Sequence, residues 1–171
     1  MLLVVAALAG GLLAGAGSGA AAEGPSLRRA TVAACTNDQL VAAGAQRTGS
    51  SEVRVTVINE SSTPCVLTGY PGVALAGLGS PDRNKPLGAV HRGTAGPVQL
   101  PVGGRASAEL TFTPVLGEAG GYCVSGAPPS VAPSIVLFVA GGGYQLGPDD
   151  GGDFALCGNT VQVTAFRAAG S

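Results

Sequence analysis

The chain has 171 residues, with 9 Lys and Arg against 10 Asp and Glu for a net charge of −1, and it contains 29 Gly, 12 Pro, 4 Cys, 1 His and no Trp. So balanced and sparse a charge excludes a protein that binds nucleic acid electrostatically. A single His excludes a multi-His metal or catalytic centre, and 4 Phe with 3 Tyr are too few for a stacking platform along the chain.

Met1 to Ala22 is apolar and uncharged and ends in Ala20-Ala21-Ala22 ahead of Glu23. Its strongest apolar run stops at Leu13, where Gly15, Gly17, Ser18 and Gly19 begin. That length fits the hydrophobic region of a cleaved signal better than a membrane span, which needs about 20 apolar residues. Residues 1–22 are therefore expected to be a signal peptide, 23–34 a linker, 35–168 one folded domain and 169–171 a tail. The chain would touch a membrane only if its N-terminus were retained or lipidated. Val32-Ala33-Ala34-Cys35 has the form of a lipobox, but Arg28 and Arg29 separate it from the apolar run.

In the domain the first candidate element is a turn of helix over Asn37–Ala45, capped at Thr36 or Asn37. Val53, Val55 and Val57 then alternate with polar neighbours as a strand with one buried face. Asn59 to Pro64 is a turn cluster, Cys65-Val66-Leu67 a second strand, and Gly69-Tyr70-Pro71-Gly72 a turn shaped by its Pro and Gly. Val73-Ala74-Leu75 resumes extended structure. Gly77 to Pro97 reads as a polar surface loop with short edge pieces, followed by a short strand at Val98–Leu100. Ala106, Ala108, Leu110 and Phe112 make the cleanest period-two pattern in the chain. Ile135 to Val139 is a continuous apolar run of strand length, expected to be buried on both faces. Gly141 to Gly152 reads as loop, and Val161, Val163 and Ala165 as a last strand. About seven short strands separated by turn signals predict an all-β, immunoglobulin-like antiparallel sandwich.

Four cysteines, Cys35, Cys65, Cys123 and Cys157, stand without any C-x-x-C pair, which disfavours zinc and thioredoxin-type sites. In an exported chain they read as two disulfides. Three connectivities are open, and the preferred one, Cys35–Cys65 with Cys123–Cys157, closes two loops of moderate length.

Few residues offer chemistry. His91, beside Arg92, is the only imidazole and reads as a solvated surface residue, and no G-x-S-x-G elbow or Ser-x-x-Lys pair accompanies it. Asp149, Asp150 and Asp153 crowd a Gly-rich turn that could in principle attract calcium, yet the spacing is not that of a calcium loop and a solubilising turn is the plainer reading. Arg83, Lys85 and Arg92 read as a solvated basic face. Asn59-Glu60-Ser61 fits the glycosylation pattern, but that reading presumes a eukaryotic secretory path, which the composition does not suggest. The expectation is thus no catalytic residue, no metal and no cofactor, with an unidentified binding surface and, as partner, an envelope protein or polymer rather than a nucleic acid. The alternatives are an envelope-directed hydrolase and a lipid-anchored accessory protein.

Cys35, the Val-rich strand ending at Asn59, Pro64-Cys65-Val66-Leu67-Thr68-Gly69-Tyr70-Pro71-Gly72-Val73, the later Leu100 to Ala106 stretch, and the pieces holding Cys123 and Cys157 together resemble a family of exported actinobacterial proteins, domain of unknown function 4232. The resemblance spans about Cys35 to Arg167. It implies a secreted or envelope-attached β-sandwich with intramolecular disulfides, and no activity or functional residue comes with it.

Overall fold

The computed structural model describes residues 31–118 and 120–170. The expected signal peptide and the first part of the linker lie outside the described residues. In chain order the strands are β1 (Leu40–Arg47), β2 (Glu52–Asn59), β3 (Cys65–Leu67), β4 (Gly72–Ala76), β5 (Lys85–Pro86), β6 (Gly88–Arg92) and β7 (Val98–Leu100). They continue as β8 (Arg105–Phe112), β9 (Ser130–Ala132), β10 (Ser134–Val139), β11 (Gly142–Leu146), β12 (Phe154–Leu156), β13 (Thr160–Thr164) and β14 (Arg167–Ala168). The all-β expectation holds: among the described residues the only helical element is a 3-10 turn at Pro81–Arg83. The strands are more numerous than seven because many are two- or three-residue pieces.

The larger sheet runs β1-β2-β8-β13-β6, with β14 also on β8. Its core side follows from strand periodicity. Val53, Val55 and Val57 of β2 face Leu110, Ala108 and Ala106 of β8 in antiparallel register, and all six are at most 2% exposed. Each Val buried in this way contributes about 1.5–3 kcal/mol relative to an exposed position. Val161 and Val163 of β13 extend the same face. The second sheet runs β11-β10-β4-β5. Ile135, Leu137 and Val139 of β10 join Val73 and Leu75 of β4 and the inward residues of the larger sheet in one continuous core. On the opposite face of β10, Val136 packs with Ala74 and Ala76 in a separate buried cluster. Both faces are buried there as the apolar run predicts, except at Phe138, which is 40% exposed.

Three expectations are corrected. Asn37–Ala45 is not helical: a turn at Asn37–Gln39 leads into β1, which pairs with β2. The register shifts between Ala42 and Gly44, and Gly44 takes φ +150°. This bulge moves the inward positions from Leu40 and Ala42 to Ala45 and Arg47, so the strand loses the strict period of two that would reveal it. Gly141–Gly152 is not all loop, since β11 forms a hairpin with β10 through Ala140 and Gly141, both at positive φ (50° and 79°). Gly72 and Gly143 stand opposite Phe138, whose ring lies over both glycines in place of the side chains they lack. Finally, the sheets are not wholly antiparallel, because β6 runs parallel to β13.

The segment carrying β5 and β6 changes sheets. β5 pairs with β4, Leu87 still donates its N–H to the Val73 carbonyl at 2.9 Å, and Gly88 already donates to Asn159 at 2.8 Å beside β13. The stretch expected to be a polar loop with short edge pieces thus holds β5 and β6, each at the end of its sheet, joined from one sheet to the other.

Candidate functional site

All four cysteines are bonded, Cys35 to Cys65 and Cys123 to Cys157, with Cα–Cα separations of 4.8 and 5.6 Å. The preferred connectivity is the one the structure has. The first bridge fixes the entry of the chain. Ala34 bridges Val66 in parallel, Val66 donates to the Ala33 carbonyl at 2.8 Å, and Cys35 donates to the Val66 carbonyl at 2.9 Å. The second bridge ties the loop after β8 to the end of β12.

Both cysteines of that second bridge line a cleft of about 420 Å³. Pro114, Leu116, Val124, Gly158, Asn159 and Thr160 line the rest of it. No acidic or basic side chain lines it. The long loop gets its shape from a narrow two-residue pairing, in which Leu116 donates to the Tyr122 carbonyl at 2.9 Å and Tyr122 donates back at 2.8 Å. Gly121, at φ +60°, lies so close to Val115 that a Cβ there would clash. Tyr122 and Val124 are left 61% and 87% exposed beside the cleft. Single exposed apolar residues are ordinary, but a cluster of them around an apolar hollow marks a contact surface.

The remaining residues singled out in the sequence are placed as follows. His91 lies on β6 rather than in a loop, and its ring stacks on Tyr70 with centroids 4.0 Å apart and planes 2° from parallel. The Tyr70 hydroxyl donates to the Gly93 carbonyl. The Gly69-Tyr70-Pro71-Gly72 turn is thus joined to β6 through Tyr70, and His91 has no hydrogen bond to a hydroxyl or carboxylate among the described residues. Arg83 on the 3-10 turn, Lys85 on β5 and Arg92 at the end of β6 are all exposed.

The family model described as domain of unknown function (DUF4232) matches residues 35–167, from the first disulfide cysteine to β14. The chain is a member of the DUF4232 family. No curated protein and no solved structure matches it.

In this DUF4232 domain the acidic turn is organised by a cation of its own. Arg47, at the end of β1, places its Nε 2.6 Å from Asp150 Oδ2 and donates to the Asp153 carbonyl at 3.0 Å, while its backbone N–H donates to Asp149 Oδ1 at 2.9 Å. The Arg47 hydrogen bond, then the Gly152 amide, hold the Asp150 carboxyl below the usual carboxylate range. Behind this turn the guanidinium lies over the Phe154 ring, 6.0 Å from its centroid. The Asp149 and Asp150 carboxylates and the Asp153 main-chain carbonyl thus latch β1 to the segment before β12.

Asn59, which opens the tripeptide of glycosylation pattern, is a structural residue. It is fully buried. Its Nδ2 donates to the carbonyls of Thr63 and Leu100 at 2.8 and 3.1 Å, and its Oδ1 accepts the Ser61 N–H at 3.1 Å. An amide so committed is a joint between three segments, out of reach of any transferase. The cleft, by contrast, was missed. An exposed Tyr and Val on either side of a cysteine in a Gly-rich stretch, Tyr122-Cys123-Val124, is the one signal in the sequence that points to it.

Proposed function

We propose that this domain works outside the cytoplasm as a binding or structural module of the bacterial cell envelope, through surface contact and without a catalytic centre. The observation that carries the reading is the pairing of all four cysteines, which suits an oxidising compartment. Membership of a family without an assigned activity agrees with it. So does the use made of the ionisable groups: Arg47 pairs with Asp150, Arg54 with Glu109, and the only imidazole is stacked on Tyr70. The Cys35 sulfur is bonded to Cys65, which favours release by cleavage upstream over lipidation at Cys35. Among the described residues no helix is long and apolar enough to cross a membrane. The partner we infer is an envelope protein or polymer, met through uncharged surface rather than through a field of charge.

The test is mass spectrometry of the native protein recovered from cell fractions. The expected result is a mature chain beginning at Glu23, two disulfide-linked peptide pairs, and recovery with the envelope or the medium. A lipid on Cys35, free thiols, or recovery in the cytoplasm would overturn the reading.

A further inference from the structure

The two disulfides sit in different surroundings. Residue exposure does not separate them, at 9% and 1% for Cys35 and Cys65 against 3% and 6% for Cys123 and Cys157. Their neighbours do. Cys35 and Cys65 pack within the continuous core, and backbone hydrogen bonds from Val66 to Ala33 and from Cys35 to Val66 hold the chain around the bond. Cys123 and Cys157 lie outside both buried clusters and line the open cleft, where a solute can approach the bond without displacing the core. The loop that Cys123 anchors is tied to little else. From Thr113 to Val131 Cys123 is the only buried residue among the described ones. The hydrogen bonds made by the described residues of 114–129 all stay inside that stretch: Leu116 with Tyr122, Gly121 to Glu118, Gly126 to Cys123, and Ala127 to Ser125. The sulfur–sulfur bond is therefore the loop's one strong link to the end of β12.

We propose that Cys123–Cys157 is a thiol-exchange site, opened by a dithiol while Cys35–Cys65 stays closed, and that its opening frees the 114–129 loop from a body that stays folded. One thiolate of the dithiol attacks a sulfur of the bridge, forms a mixed disulfide with that cysteine and expels the other cysteine as a thiolate. The second thiolate of the dithiol then closes onto its own first sulfur, breaks the mixed disulfide and expels the remaining cysteine. Two electrons pass to the bridge, the dithiol becomes a disulfide, and its two protons end on Cys123 and Cys157. The stretch between the two cysteines keeps its shape by other means. β10 is paired with both β11 and β4, and β9 with β12, so these ladders need no crosslink to persist. The exchange needs only the bridged domain, whatever partner the domain meets.

The test treats the oxidised protein with dithiothreitol without denaturant, quenches it with iodoacetamide at intervals and maps the alkylated cysteines by mass spectrometry. Cys123 and Cys157 should become alkylated together, and Cys35 and Cys65 at least about tenfold more slowly. The rate at Cys123 should not change in urea well below the unfolding midpoint, since attack through the cleft needs no global opening. Once the first bridge has opened, the amides of Leu116, Tyr122 and Gly126 should lose their protection from hydrogen exchange while those of β2 and β8 stay protected. Cys123→Ser/Cys157→Ser should show the same pattern without any reductant. Thioredoxin kept reduced assigns the exchange to a protein dithiol if it opens the same bridge, and opening by dithiothreitol alone assigns it to a small one. The proposal falls if both bridges open at one rate, if Cys35–Cys65 opens first, or if urea speeds the reaction in step with global unfolding. It falls equally if the loop amides keep their protection, or if β2 and β8 lose theirs, once Cys123–Cys157 is open.

Discussion

Asn59 shows how much one polar side chain can specify. Its amide reaches the carbonyls of Thr63 and Leu100, and its own backbone accepts from Gly103 at 2.7 Å and donates to Gly104 at 2.9 Å. Asn59→Ala takes its amide away from the buried Leu100 carbonyl, from the Thr63 carbonyl and from the Ser61 N–H, which costs about 2–3 kcal/mol. Urea unfolding should show a midpoint lowered by that free energy divided by the slope, with the slope itself unchanged, and a variant within about 0.5 kcal/mol of the natural chain would mean that water replaces the amide. The sequence shows Asn59 only as the first residue of a turn cluster. Its burial comes from the arrival of Leu100 and Gly104, some forty residues later, which no local pattern announces. His91 is exposed, as the polar residues around it suggest, and only its stacking on Tyr70, which depends on a strand crossing between sheets, escapes the local pattern.

At the scale of elements, legibility follows from whether one face alone is buried. β2, β8 and β13 were readable because alternation survives along them without interruption. β1 was hidden by the bulge at Gly44, and β11 by Gly142 and Gly143, which have no side chains to alternate. β9 and β12 are three residues each, too short for any period. The cleft was unreadable for a related reason: its lip is a Gly-rich loop whose shape comes from two backbone hydrogen bonds and a distant cysteine. The disulfides could be anticipated from count and spacing alone. The latch between β1 and the acidic turn gives a prediction in pH. The Asp150 carboxyl has its pKa depressed in the folded state, so its contribution to stability is complete above the ordinary carboxylate range and is lost as the pH falls through the lowered native value. Urea midpoints followed from neutral to acid pH should therefore fall more steeply for the natural chain than for Asp150→Asn, and the two curves should converge at the acid end. Parallel curves would show that Arg47 gains nothing from the pair, as at many exposed ion pairs.

For the whole molecule, a small core and many glycines make the two crosslinks matter. They close loops with sequence separations of 30 and 34. Each removes about 3–4 kcal/mol of unfolded-state entropy, against total stabilities of about 5–15 kcal/mol for domains in general. The double variant Cys123→Ser/Cys157→Ser should therefore remain folded but lose about 3 kcal/mol, with faster amide exchange concentrated between Thr113 and Gly126. Removing both bridges should leave little or no folded protein at 37 °C, and a fourfold-Ser chain that unfolds with the natural midpoint would show the bonds to be ornamental. The placement of the bridges also dictates how the body answers a mechanical load. Tension applied ahead of Cys35 and behind Cys157 passes through sulfur straight to Cys65 and from Cys123 to Cys157, skipping both enclosed stretches. β1 and β2 lie in the first of these and β9 to β12 in the second, so a stretched molecule pays out only the chain outside the bridges, and roughly 100 Å of contour stays locked inside each.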